Sequence, residues 1–151
     1  MPQTFWEKSN LQFVKSIASS AASSAWKLGA VMQVQDFLAR YKQGERDFAH
    51  VDLSGAILTG VNLQDLDLTG ANLTGANLSW SFLSRAKLSG ACLRQADLRH
   101  TTFAGANLNQ AILSGANLSK ADLRLAHLQE ADLNWAILEE ADLSGADLQG
   151  A

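Results

Sequence analysis

From Asp47 to Ala151 every fifth residue is Leu or Phe, without one insertion: Phe48, Leu53, Leu58, and on through Phe103 to Leu143 and Leu148. A period of five matches neither a helix at 3.6 nor a flat strand at 2, so the chain must wind as a solenoid. The residue two places before each centre is nearly always small: Ala56, Ala71, Ala76, Ala86, Ala91, Ala96, and every one from Ala106 to Ala151. A uniformly small position marks crowded backbone, and a uniformly Leu or Phe position marks a filled interior. The other three positions of each pentad range over Asp, Asn, Ser, Thr, Arg, Gln, Glu, Lys and Gly, and so face water.

The first third of the chain has another rhythm. Thr4 and Glu7 have capping-box spacing, which predicts a helix starting near Phe5. Leu11, Val14, Ala18, Ala21, Ala25 and Leu28 then form a helical stripe, with Phe13 and Ile17 beside it. Within it, Ala18 to Ala25 is a run of alanines and serines, read either as a weakly packed surface helix or as a smooth face that lets another helix approach closely. Gly29 marks a break. A second helix is expected over about Val31 to Lys42, with Val31, Val34, Phe37, Leu38 and Tyr41 on one face and Gly44 as its C-terminal glycine. Charge divides at the same place. Residues 1–43 hold Lys8, Lys15, Lys27, Arg40 and Lys42 against Glu7 and Asp36, and the acidic excess of the chain lies beyond them. The expected organisation is a helical segment over 1–45 that caps a solenoid over 46–151.

The repeat ANLTG, ANLSW, AKLSG, ANLSK, ADLSG, ADLQG resembles the pentapeptide-repeat family, whose signature is A(D/N)LXX. The run from Leu38 to Phe48, LARYKQGERDF, is similar to the lead-in of cyanobacterial members. The resemblance implies an all-β solenoid: a right-handed, quadrilateral parallel β-helix in which one pentad makes a side and four make a coil, about five coils here. Leucine would fill the lumen, with Phe48, Leu53, Leu73, Leu93, Phe103, Leu113, Leu133 and Leu148 as core. Asp or Asn before each centre would hydrogen-bond nearby backbone and steady the turn. Folding by twenty gives four columns, with centres beginning at Leu53 (side one), Leu58 (side two), Leu63 (side three) and Phe48 (side four). Ser81 and Thr101 then point inward on side three and need backbone carbonyls as partners. The chain stops in register at Ala151, so Leu133, Leu138, Leu143 and Leu148 are expected at an uncapped end, to be covered by a second copy tail to tail, a partner protein, or further sequence beyond Ala151.

Function is expected on the outward positions. No catalytic site, cofactor or metal is expected: His50, His100 and His127 fall on different sides or distant coils, and a filled lumen leaves no cleft. Arg85, Lys87, Arg94 and Arg99, with His100, form a mid-column basic belt, but without interleaved aromatic platforms nucleic-acid binding is not expected. Large apolar residues stand at outward positions: Ile57, Trp80, Phe82, Ile112, Leu125, Trp135 and Ile137. The expected function is a non-catalytic scaffold, a protein–protein interaction module. Its partner contacts are Phe5, Trp6, Phe13, Ile17 and Trp26 in the helical segment, and Trp80, Phe82, Arg94, Arg99, Trp135 and Ile137 on the column. Two alternatives come with the family resemblance: a DNA-mimic inhibitor of DNA gyrase, and a peripheral assembly factor held to a membrane surface or photosynthetic complex through residues 1–30. One cysteine, Cys92, and no basic-then-apolar stretch in Met1 to Asn10 point to a cytoplasmic protein, at most peripheral to a membrane.

Overall fold

The computed structural model describes residues 26–151. The predicted first helix and its contacts Phe5, Trp6, Phe13 and Ile17 lie outside the described residues. From Asp47 onward the chain is a column of short parallel bridges, each joining residue i to residue i+20: Asp47 to Asp67, Asp52 to Asn72, Ile57 to Asn77, Asn62 to Phe82, and so on to His127 with Asp147. One pentad is therefore one side, and the twenty-residue coil is four-sided, as the column reading requires.

The motif reflects where the five backbone N–H groups of each pentad go. In the pentad around Asn72, the Asn72 N–H donates to Val51 O in the coil below at 2.8 Å, and Leu73 N–H to Cys92 O in the coil above at 2.7 Å. Gly75 N–H also bonds upward, to Arg94 O at 2.8 Å, and Ala76 N–H closes the turn onto Leu73 O at 3.0 Å. Only Thr74 N–H remains, and the Asn72 side chain accepts it at 3.2 Å. Every Asp or Asn at this position from Asp47 to Asp147 takes the N–H two residues on. The acidic or amide residue thus satisfies the one donor that takes no backbone partner; in the His127 pentad the Gln129 N–H goes instead to Asn109 Oδ1 of the coil below at 2.9 Å.

The turn also constrains its third residue, two places after Leu. That residue has positive φ throughout: Gly75 at 65°, Gly90 at 65°, but also Trp80 at 63°, Leu125 at 57° and Trp135 at 61°. This is the type II pattern, for which glycine is the strain-free choice.

The lumen is filled as expected. Phe48, Leu53, Leu73, Leu93, Phe103 and Leu113 are buried, together with the inward alanines. Leu133 is only partly buried and Leu148 is 40% exposed. These leucines, expected in the core, have lumen neighbours on one side only. The two polar inward residues are satisfied: Ser81 Oγ donates to Leu58 O at 2.6 Å and Thr101 Oγ1 to Leu78 O at 2.8 Å.

The base is closed by helix α1, Val34–Lys42. It starts later than the expected Val31. Val31 instead forms a parallel bridge to Asp52, and Met32 N–H donates to Asp52 O at 2.7 Å. The lowest coil offers an unpaired edge, and an extended Val31–Gln33 satisfies it better than a helical turn would. Met32 therefore points in while Val31 stays exposed. Gly29 breaks the chain at φ 89°, as expected. Phe37 is fully buried edge-on against Phe48, ring centroids 4.7 Å apart. Trp26, expected as a partner contact, is buried too, 5.9 Å from the Phe48 ring. The turn at Gly29 folds it back beneath the column, so it belongs to the cap. The helix ends in a Schellman motif: Gly44 N–H donates to Tyr41 O and Glu45 N–H to Arg40 O, with Gly44 at φ 99°. Arg46 then donates to Tyr41 O and lies over the Tyr41 ring, tying the helix to the first pentad.

Candidate protein-interaction surface

Outward positions have local rules: Asp or Asn before Leu, glycine at the positive-φ corner. The candidate surface consists of residues that break them. At Ile57, Phe82, Ile112 and Ile137 an apolar side chain replaces the carboxamide or carboxylate, so the turn N–H two residues later loses its side-chain acceptor. At Trp80, Leu125 and Trp135 a large side chain sits where the backbone has positive φ, which costs about 1–2 kcal/mol relative to glycine. These side chains do not recover the cost in the lumen. Trp135 is 92% exposed, Ile57 73% and Trp80 59%, with Phe82, Leu125 and Ile137 also exposed. Ile112 is half-buried.

Two pairs gather at corners. Trp80 and Phe82 flank the corner between sides two and three. Trp80 is covered on one face by His100, stacked at 3.8 Å with 8° between planes, and Lys120 above it pairs with Glu140 at 3.6 Å. Trp135 and Ile137 flank the corner between sides one and two. Below Trp135 lies Gly115, so the indole projects without a side chain of its own column beneath it.

The basic belt is different from its appearance in the sequence. Arg85 makes a two-pronged bond to Asp65 one coil below, both contacts at 2.8 Å. Lys87 pairs with Asp67 at 3.3 Å. Arg99 grips Asp97 at 2.8 and 2.7 Å, and Arg124 grips Asp122 at 2.8 Å through both contacts. The Arg99 guanidinium holds the Asp97 carboxyl below its ordinary value, with partial burial opposing and the Arg99 N–H adding to the effect. Asp122 is lowered in the same way by Arg124. Arg94, exposed, acts at longer range on Asp132, whose carboxyl is lowered first by the Asn134 N–H. Arg99 is thus an internally neutralised cation, and Arg94 is the freer of the two expected contacts. The partners of Arg85 and Lys87 lie twenty residues away, so they become visible only once the coil length is known.

Cys92, at an Asp/Asn position, is half-buried with its Sγ 3.2 Å from Thr74 Oγ1. No helix among the described residues is long and apolar enough to cross a membrane.

The chain belongs to the Pentapeptide repeats family, whose pattern matches residues 47–85, 91–129 and 126–151. Its fold is the right-handed quadrilateral β-helix of that family. A pentapeptide repeat protein from the cyanobacterium Cyanothece 51142 is 34% identical with a TM-score of 0.61, over 74% of this chain and 90% of that one. A pentapeptide repeat protein from the Arabidopsis thaliana thylakoid lumen is 28% identical with a TM-score of 0.59, over 60% of this chain and 63% of that one. The chain thus aligns with rather less than two thirds of the plant protein. Among curated proteins no match was found.

Proposed function

We propose that this pentapeptide-repeat protein is a non-catalytic scaffold that docks a protein partner through its apolar corners, Trp80–Phe82 and Trp135–Ile137, assisted by the N-terminal segment. The observation that supports it is the coincidence of costs: these residues break the local rules of the turn and also place apolar surface in water. Residues that depart from the locally favoured type at a cost to the fold mark function. Trp80 recovers part of that cost by stacking on His100, whereas Trp135 stays 92% exposed. Aromatic anchors are the side chains on which interface energy concentrates. The filled lumen directs all chemistry outward, and the neutralised arginines argue against a phosphate backbone as the partner.

An affinity capture from the native cell tests this, with the intact chain beside Trp80→Gly/Phe82→Asn, Trp135→Gly/Ile137→Asn and a form lacking residues 1–25. The expected outcome is loss of the same captured protein from at least one corner variant. Equal capture by both corner variants would place recognition elsewhere.

A further inference from the structure

We propose that the corner between sides one and two is a self-complementary dimer edge, on which two copies pair side by side and antiparallel. This names a second copy as the partner of the Trp135–Ile137 corner and rests on the reading of that corner as a docking site. Bridges join Ile57 to Asn77, Asn77 to Asp97, Asp97 to Asn117 and Asn117 to Ile137 in one column. Read upward or downward, that column is the same: Ile, Asn, Asp, Asn, Ile. A twofold axis across the column at Asp97 places each residue opposite its own kind, with Ile57 of one copy against Ile137 of the other and Asn77 against Asn117. An isologous contact needs this reciprocity.

The adjoining corner column supplies the shape. It reads Gly55, Gly75, Gln95, Gly115 and Trp135. The same axis puts Trp135 against Gly55, and Gly75 against Gly115, where the Gln95 side chain leans over the Gly115 backbone. A Cβ built on Gly55 or Gly75 would meet nothing within 4 Å, so the hollow for the indole is open. The one departure from symmetry is therefore a knob facing a hole.

Charge favours the same edge. Along its two columns the only charged residue is Asp97, which on the axis faces its own copy and is held two-pronged by Arg99 of its own chain, while Arg94 stands beside Gln95. Each of the other three edges carries several charges, such as Asp65, Asp67, Arg85 and Lys87 between sides three and four. Two copies of a chain with net charge -3 meet with least like-charge contact here. The contact runs about 19 Å, four coil steps at ordinary strand spacing. Two tryptophans at roughly 150–250 Å² each, with four isoleucines and the amide strip, cover on the order of 1,000 Å², the lower edge of a specific interface. The dimer is accordingly weak and concentration-dependent.

Sedimentation over roughly 10 μM to 1 mM protein tests it, with cross-linking in a Cys92→Ser background. Mass should shift from monomer to dimer across the series. Trp135→Gly, which relieves a positive-φ strain and so keeps the fold, should weaken association roughly 30-fold, while Trp80→Gly at the other corner should leave it unchanged. Oxidising a mixture of Asn77→Cys and Asn117→Cys chains should give covalent dimer, and neither alone should. A monomer throughout, a dimer indifferent to Trp135→Gly, or equal cross-linking of each single variant would overturn the proposal. Those outcomes leave capture of a different protein by the same corner intact, so the two readings fail separately.

Discussion

Ile137 and Trp135 carry opposite preferences for folding and for contact. Asn at 137 would restore the acceptor for the Glu139 N–H, as Asn117 does for Ser119 one coil below at 3.0 Å. Gly at 135 would remove the cost of a positive φ of 61°. We expect Ile137→Asn and Trp135→Gly each to raise stability by about 1 kcal/mol, read as a higher midpoint in urea. A lower midpoint for both would mean that the two side chains contribute packing their exposure does not suggest. Ser81 tests the converse. The repeat favours Ala there, yet Ser81 Oγ bridges Leu58 O and the Val61 N–H, and the turn bond between those two groups is long at 3.4 Å. Ser81→Ala should therefore destabilise by about 1 kcal/mol although it moves the chain toward its own repeat. An unchanged midpoint would show that the Val61 turn closes without the hydroxyl.

The pentad, as an element, is held by its Asp and Asn side chains, of which only the carboxylates respond to pH. Asp142 is lowered first by the Ser144 side chain, and Asp147 first by the Gln149 N–H. Asp97 and Asp122 are lowered first by arginine. A carboxyl with a folded-state pKa below its unfolded one stabilises the fold fully above the unfolded value, and that stabilisation is lost as pH falls through the folded value. The melting temperature should thus be flat from pH 7 to about 5 and fall below about pH 4. A profile level to pH 2.5 would mean that the Asx turns do not need the ionised form. The pentad is also the part that was legible in sequence, since three of its five positions have a restricted type: Leu or Phe reports the lumen, the small residue the crowding, and Asp or Asn the turn. The junction was less legible. Val31 fits the helical face of Phe37, Leu38 and Tyr41 by spacing, and only the unpaired edge at Asp52 draws it into a bridge. Trp26 looked outward because no local pattern shows that Gly29 returns it to Phe48. Arg99 looked like a free cation because its neutralising Asp97 also reads as a turn-forming residue.

On the scale of the whole molecule the column is nearly one-dimensional. Each coil touches only the coils above and below, so stability is a sum of coil and neighbour terms and opening begins at the ends. The base is closed by three packed aromatics, with Phe48 between a tilted Trp26 and an edge-on Phe37. At the last coil Leu133, Leu138 and Leu143 are only partly buried. Amide hydrogen exchange should be slowest in the middle coils, around Leu93 to Leu113, and should quicken toward Leu148. Phe37→Ala leaves a hole against Phe48, and by the usual cost of truncating a buried Phe it should remove about 3–5 kcal/mol. In a one-dimensional chain that loss is local. Protection should collapse for Leu53, Leu58 and Leu63 and persist at Leu98, Phe103 and Leu108, whereas a globular core would lose protection everywhere together. Uniform loss throughout the column would show instead that the helix cap and coils unfold as one cooperative unit.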